Sequence, residues 1–127
     1  MALGAQVAAP DRPVFAMCGD GGFLLDIGDL ATAVQHRLPV VFLVFNDRAY
    51  GILRRIQRAE FGHPYAVDLN APDFVAVARG FGLDAYRASA VEDLRGILAE
   101  ARTRRGPVLV DIDVNAVGPV PLAGYEP

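Results

Sequence analysis

The sequence predicts an α/β fold in three layers, α/β/α, built around a mostly parallel, doubly wound sheet. Two continuous apolar runs, 13–18 and 38–45, have the length of strands that are covered on both faces. An amphipathic stretch lies between them, and a strand–helix–strand unit of this kind makes a right-handed crossover with parallel strands. A later apolar run at 108–113 follows further helical patterns and continues the alternation.

The other elements are predicted in chain order from the same patterns. Helices are expected over 1–10 (the last turns of a helix rich in small residues), 26–35, 51–59, 73–82 and 91–104, and a short strand over 85–88. The apolar faces of the second and third helices are predicted to hold Leu25, Leu30, Ala33 and Val34, and Ile52, Leu53 and Ile56. Gly and Pro residues predict a loop over 60–72 and an irregular tail over 114–127.

Length and composition exclude several classes of protein. The chain has 127 residues, of which 53% are hydrophobic, so one domain over 1–127 with a real core is expected. A net charge of −3 gives no basic surface for nucleic acid, and the arginine clusters at 54–58 and 102–105 are interpreted as solvated helix faces. No apolar run approaches a membrane span, and no signal peptide is recognised. The single cysteine, Cys18, is interpreted as a core residue and fits a reducing cytoplasm.

Two polar motifs follow the first two predicted strands. Gly19-Asp20-Gly21-Gly22 comes after the first strand, and Asn46-Asp47 comes after the second. Both turns should lie at the carboxyl ends of parallel strands, where open α/β sheets bind ligands. Glycines let the backbone approach an anion closely, and Asp20 and Asp47 offer the hard oxygen ligands that suit Mg²⁺. The two motifs together predict a magnesium diphosphate site.

Other polar residues have simpler interpretations. Asp26 and Asp29 lie near a predicted helix start, where negative charge suits the helix dipole, so we prefer this to metal ligation. His36 is placed at the end of that helix, and His63 is interpreted as a surface residue in a loop. Either polar motif alone would be an ordinary strand-ending turn.

The motif resembles that of thiamine-diphosphate-dependent enzymes. Gly19-Asp20-Gly21, Asn46-Asp47 and Tyr50-Gly51 have the family's order and spacing. Further stretches, at 30–34, 38–41, 50–54, 73–74 and 106–112, resemble the C-terminal cofactor-binding (PP) domain of acetolactate synthases and related 2-oxo-acid decarboxylases, so the match covers essentially the whole chain. The fold implied is the thiamine-diphosphate-binding fold, truncated at its N-terminus.

The resemblance implies a role for each site residue. The side chains of Asp20 and Asp47 and the carbonyl of Ala49 would bind Mg²⁺. The backbone amides of Gly21 and Gly22 would hold the diphosphate. The segment around Tyr50, Gly51 and Ile52 would lie close to cofactor and substrate. One departure is that Asp47 replaces the second Asn of the family's pair, which leaves open whether Asn46 or Asp47 is the ligand.

The resemblance also implies partners. These are a small 2-oxo acid, an oligomeric assembly, and a pyrimidine-binding domain or subunit that supplies the activating glutamate. We expect neither that domain nor the upstream part of the PP domain within these residues, and no catalytic residue is assigned. Whether the chain is a natural subunit or a gene fragment stays open, although its start within a helix favours a fragment. Decarboxylation and carboligation are not separable from this sequence.

Two alternatives belong to other classes. The chain could be an inactive fragment or a non-catalytic α/β association module, in which case Asp20→Ala would leave ligand behaviour unchanged. A dinucleotide-binding Rossmann domain is disfavoured because the turn lacks the G-x-G-x-x-G pattern.

Overall fold

Four parallel strands form one sheet in the computed structural model, which describes residues 1–118. The strands are β1 (Val14–Gly19), β2 (Val40–Asn46), β3 (Asp84–Ala88) and β4 (Val108–Asp113). The helices are α1 (Ala2–Ala8), α2 (Asp20–Leu25), α3 (Asp29–Gln35), α4 (Gly51–Phe61), α5 (Phe74–Phe81), α6 (Val91–Ala101) and α7 (Val114–Val117). The sheet order is β1-β2-β4-β3, and all three pairings are parallel. The predicted parallel α/β fold is confirmed.

Helices cover both faces of this sheet. On one face, Leu30 of α3 and Phe74 of α5 pack against alternate residues of β2 and against Leu109. On the other face, Leu94 and Leu98 of α6 pack against the intervening residues of β2 and β4. The side chains of a strand alternate between faces, so the continuously apolar β2 can fill two cores at once. The prediction of three layers is therefore confirmed.

Helix α5 is defined at both ends by the sequence. The Asp73 carboxylate accepts hydrogen bonds from the amides of Val75 (3.0 Å) and Ala76 (3.2 Å), which is the N-cap arrangement. At the other end Gly82 has φ = 94°, a left-handed conformation that glycine adopts without strain. Between these caps Phe74 is fully buried, and its ring centroid lies 5.6 Å from that of Phe23.

The Asp73→Ala variant should lose about 1 kcal/mol of stability, because two helical amides lose their acceptor. These contacts, chiefly the Ala76 amide and then the charge of Arg87, hold the pKa of Asp73 below its ordinary value of 3.8. The stabilisation should therefore be complete above pH 3.8 and be lost as the pH falls through the lowered pKa. Urea unfolding across this range measures the difference, with the exposed Asp11→Ala as control. A difference that does not change with pH would contradict the prediction.

The prediction that the first strand is covered on both faces is wrong. Val14, Ala16 and Cys18 contact the core, whereas Phe15 is exposed and Met17 is 70% exposed. The reason is the strand order, since β1 is an edge strand and pairs only with β2. On the face to which Phe15 and Met17 point, α6 lies over β3 and β4.

The helix predicted over 26–35 begins at Asp29, as α3, and a separate helix that was not predicted precedes it. Helix α2 begins at Asp20, inside the glycine motif, and ends at Leu25, and a turn then leads into α3. The turn changes the helical phase, so Leu25 is 80% exposed while Leu30 is buried. The helix-dipole interpretation holds for Asp29, in the first turn of α3. It is wrong for Asp26, which follows the last residue of α2.

Smaller differences concern the helix ends. Helix α4 extends to Phe61, and Ile52, Leu53 and Ile56 are exposed rather than buried. Helix α6 ends at Ala101, three residues before its predicted end, and the strand predicted at 85–88 starts one residue earlier. The first four residues of the predicted irregular tail form α7, whose amide at Ala116 donates to Asp113 (3.1 Å). The rest of that prediction, 119–127, lies outside the described residues.

Across residues 1–118, no helix combines the length and apolarity needed to cross a membrane.

Candidate functional site

A cleft of about 680 Å³ opens at the carboxyl ends of β1 and β2. It is there because these strands are parallel neighbours, with Gly19 paired to Phe45 in the register of the sheet. The cleft is lined by all the predicted site residues except Asn46: Gly19, Asp20, Gly21, Gly22, Asp47, Ala49, Tyr50, Gly51 and Ile52. The two motifs, which residues 23–45 separate in the sequence, thus contribute residues to the same cleft, as the sequence predicts.

Asp20 is a buried carboxylate that lacks enough partners. The residue is 1% exposed, and its Oδ1 accepts a hydrogen bond from the Gly21 amide at 2.8 Å. Its Oδ2 is buried and has no hydrogen-bond partner among the described residues. Burial is the main cause that raises the pKa of Asp20, and the charge of Asp47 adds to the rise; the backbone amides of Gly21, Arg48 and Ala49 oppose it. A buried, unpaired carboxylate oxygen beside a second acid is a place where a cation would be strongly stabilised.

Asp47 is held in place by contacts with the residues that follow it in the chain. Its Oδ1 accepts a hydrogen bond from the Ala49 amide at 3.1 Å. Its Oδ2 packs so closely on the backbone of Gly51 that a Cβ added at Gly51 would lie 2.1 Å from this oxygen. The absence of a side chain at Gly51 therefore gives the Asp47 carboxylate its position.

A short antiparallel bridge fixes the loop between β2 and α4. The Tyr50 amide donates to the Val67 carbonyl (2.8 Å), and the Leu69 amide donates to the Arg48 carbonyl (2.9 Å). Arg48 takes a left-handed conformation with φ = 57°, which is costly for a residue with a side chain. None of the backbone hydrogen bonds that fix this loop in the described chain uses the Ala49 carbonyl as acceptor. The carbonyl is thus available to a ligand.

Asn46 faces away from the cleft. Its Nδ2 donates to Asp111 Oδ1 at 3.0 Å, and its Oδ1 accepts from the Arg48 amide at 3.2 Å. It lines a separate cavity of about 210 Å³, with Arg87 and Asp73. Between the two candidates that the sequence left open, Asp47 is therefore the one that shares the cleft with Asp20.

The glycines of the first motif have different surroundings. A Cβ at Gly21 would lie 2.5 Å from Cε1 of Tyr50, so the tyrosine ring packs directly on this backbone. A Cβ at Gly22 would meet nothing within 4 Å. The Gly21 amide already donates to Asp20, so a diphosphate bound there would have to replace that acceptor.

Comparison with known proteins identifies the family. Residues 1–112 match the family described as thiamine pyrophosphate enzyme, C-terminal TPP binding domain. The chain belongs to this family. Thiamine pyrophosphate is another name for thiamine diphosphate, so the resemblance deduced from the sequence motif is confirmed.

Individual relatives of this TPP-binding domain include an acetolactate synthase and two decarboxylases. The acetolactate synthase of Bacillus subtilis (strain 168) is 33% identical over 122 residues, which is 96% of the chain and 21% of the relative. The benzoylformate decarboxylase of Pseudomonas aeruginosa is 36% identical over 119 residues, 93% of the chain and 22% of the relative. The solved Rhodococcus jostii RHA1 thiamine diphosphate-dependent 4-hydroxybenzoylformate decarboxylase has a TM-score of 0.81 and 32% identity, over 88% of this chain and 22% of that one. The chain spans about a fifth of the length of these relatives.

Four cleft residues of this TPP-binding domain were missed from the sequence. They are Phe45, Arg54, Arg55 and Val114. The arginines were interpreted as part of a solvated helix face, but both line the cleft, and Arg54 also forms an ion pair with Asp68. The helical period could have identified the two arginines. They lie three and four positions after Gly51, where α4 begins, and such residues return to the same face of a helix.

The remaining polar candidates lie outside the cleft. The Cys18 thiol is half-buried, its Sγ lies 3.8 Å from the Leu43 carbonyl oxygen, and burial raises its pKa. His63 is exposed, and His36 follows the last residue of α3, as predicted. Within residues 1–118, no three His, Cys, Asp or Glu side chains are grouped so that they could hold a metal ion.

Proposed function

We propose that this chain anchors the diphosphate of thiamine diphosphate through Mg²⁺, as the cofactor-binding domain of a 2-oxo-acid decarboxylase or acetolactate-synthase-like carboligase. The observation that best supports a bound metal is the buried Oδ2 of Asp20. This oxygen has no hydrogen-bond partner in the described chain, and its carboxylate interacts with the charge of a second one, Asp47. A divalent cation would compensate both charges at once. The 2-oxo acid is proposed from the relatives named above.

The donor set fits Mg²⁺ rather than a softer metal. Asp20 and Asp47 would bind through carboxylate oxygens and Ala49 through its carbonyl, all of them hard oxygen donors. Mg²⁺ usually takes one or two carboxylates and completes its octahedron with phosphate oxygens and water. A set without three grouped acidic side chains therefore suits a metal that arrives with a diphosphate. Arg54 and Arg55, at the same cleft, add positive charge where the anion would lie.

The chain's own residues would bind and orient the cofactor. Thiamine diphosphate, when bound, supplies the electron sink for 2-oxo-acid chemistry. Tyr50 and Ile52 add apolar surface to the cleft beside the residues that would anchor the diphosphate. Among the described residues, the acidic side chains that line the cleft are Asp20 and Asp47, and both would be engaged by the metal. As the resemblance to the family implies, we propose that activity needs a pyrimidine-binding partner domain that supplies a glutamate. An oligomeric state and a cytoplasmic location stay predictions.

A non-catalytic association module is the second candidate. It is supported by apolar side chains that are exposed on β1 and along α4, including Met17, Ile52 and Phe61. Such surfaces mark interaction sites when they are contiguous. This function would need no cofactor.

Calorimetric titration of the full chain with thiamine diphosphate separates these two functions. We expect heat of binding in the presence of Mg²⁺ and its loss when EDTA is added. Thiamine, which lacks the diphosphate, should give no comparable signal under either condition. Binding that is independent of Mg²⁺ would count against metal anchoring, and no binding at all would favour the association module.

A further inference from the structure

A second buried carboxylate, Asp111, lies outside the cleft. It is 2% exposed and occupies β4 next to the end of β2, in register with Val44. Its Oδ2 accepts hydrogen bonds from Nε (3.2 Å) and Nη2 (3.0 Å) of Arg87, and its Oδ1 accepts one from Asn46 (3.0 Å). Both oxygens therefore have hydrogen-bond partners, in contrast to Oδ2 of Asp20.

Asn46 connects this carboxylate to the loop that borders the cleft. The amide group of its side chain donates to Asp111 and accepts from the backbone amide of Arg48. Arg48 is the left-handed residue that separates Asp47 from Ala49. A left-handed conformation persists in a residue with a side chain only when its surroundings hold it. The contact with Asn46 is one of the interactions that do so.

Arg87 fixes the other side of Asp111. Its Nη2 also binds the Asp73 carboxylate at 3.0 Å, and Asp73 caps α5. The guanidinium is therefore held between the sheet and the start of a helix that belongs to the core. Because both of its donors meet Oδ2 of Asp111, Oδ1 is left as the acceptor for Asn46.

We propose that Asp111 is a positioning residue, which acts through Asn46 to hold the loop 47–49 in the conformation that presents Asp47 and the Ala49 carbonyl to the cleft. Asp111 itself does not line the cleft and belongs to the separate cavity beside Asn46. The part of this inference that concerns cofactor affinity rests on the proposed function, whereas the part that concerns loop order does not.

Stability alone is a weak reason for an acid at this position. A buried ion pair contributes little net stability compared with an apolar residue of similar size, because desolvation offsets the attraction. The next inward-facing residue on β4, Leu109, is apolar and buried in the core. What a carboxylate adds here, and leucine would not, is a fixed acceptor for Asn46.

The test compares Asp111→Leu and Arg87→Gln with a control, Asp93→Ala. Asp93 accepts hydrogen bonds from Ser89 and Ala90 at the start of α6, so its loss weakens a helix without touching the loop. Backbone ¹⁵N order parameters of the full chain without ligand are measured by NMR. In Asp111→Leu we expect those of Arg48 and Ala49 to fall from about 0.85 to below about 0.6. Arg87→Gln should give a smaller fall at the same residues, and Asp93→Ala none.

Affinity gives the second measurement. Titration with thiamine diphosphate and Mg²⁺ should show about tenfold weaker binding in Asp111→Leu than in the wild type. Unchanged order parameters at Arg48 and Ala49 in both variants would overturn the positioning role, and Arg87→Gln decides alone when Asp111→Leu does not fold. A wild type that binds no cofactor would contradict the proposed function, while the order parameters would still decide whether Asp111 positions the loop.

Discussion

The Asp20→Asn variant should lose about 100-fold or more in affinity for thiamine diphosphate with Mg²⁺, and it should be more stable than the wild type without ligand. The affinity falls because an uncharged amide is a poor ligand for Mg²⁺, and loss of an outer-shell partner already costs about 10–100-fold at metal sites. Stability should rise by about 1 kcal/mol, because the variant no longer buries an unpaired carboxylate oxygen next to Asp47. Calorimetric titration and urea unfolding measure the two effects.

The pH dependence of stability gives an independent check on Asp20. The folded pKa of Asp20 is raised, so the folded state binds a proton more tightly than the unfolded state, whose pKa is 3.8. The ligand-free wild type should therefore gain stability, relative to Asp20→Asn, as the pH falls through the raised pKa towards 3.8. The control is Asp26→Asn, at an exposed acid outside the cleft. It should show neither the loss of cofactor affinity nor the gain in stability that we expect of Asp20→Asn. Equal affinity in Asp20→Asn and the wild type would refute metal ligation by this residue.

The Gly51→Ala variant should bind cofactor about 10–100-fold more weakly, with little loss of stability. The added Cβ would lie 2.1 Å from Asp47 Oδ2, so the carboxylate must move. The displaced atom is the end of a side chain at the mouth of an open cleft, which can rotate away without disturbing the core. Asp47 would then leave the position in which it shares the cleft with Asp20.

A matched glycine provides the control for this variant. Gly96 lies inside α6, and a Cβ added there would meet nothing within 4 Å. Gly96→Ala should raise stability by about 0.5–1 kcal/mol, because alanine is the better helix former, and should leave cofactor affinity unchanged. Wild-type affinity in Gly51→Ala, measured beside this control, would show that the position of Asp47 does not matter for binding.

The sequence was sufficient for features that depend on local pattern. The positions at which β1 and β2 end follow from apolar runs that stop at polar turns. The parallel pairing of these strands follows from the strand–helix–strand order, which makes a right-handed crossover. Because β1 and β2 are neighbours, these local features brought the two motifs into one cleft. The family resemblance rested on the same residues.

The sequence patterns did not predict features that depend on contacts between residues far apart in the chain. Whether β1 is an edge strand depends on the order of all four strands, and this order cannot be deduced from the composition of β1. The direction of the Asn46 side chain depends on Asp111, 65 residues away, although strand alternation places Asn46 on the same face as the core residue Val44. Helix α2 was missed because it begins inside the glycine motif, and Gly21 and Gly22 are poor helix formers.

The most direct test of the proposed anchor is paramagnetic broadening by Mn²⁺, which replaces Mg²⁺ at oxygen sites. In NMR spectra of the full chain with thiamine diphosphate, Mn²⁺ should broaden the amide signals of Gly21 and Ala49 first, and should leave those of Gly96 sharp. Omission of thiamine diphosphate should greatly weaken the effect, since the diphosphate would complete the coordination of the metal. Broadening that centres on other acidic residues, or that spreads evenly over the chain, would contradict a metal held between Asp20 and Asp47.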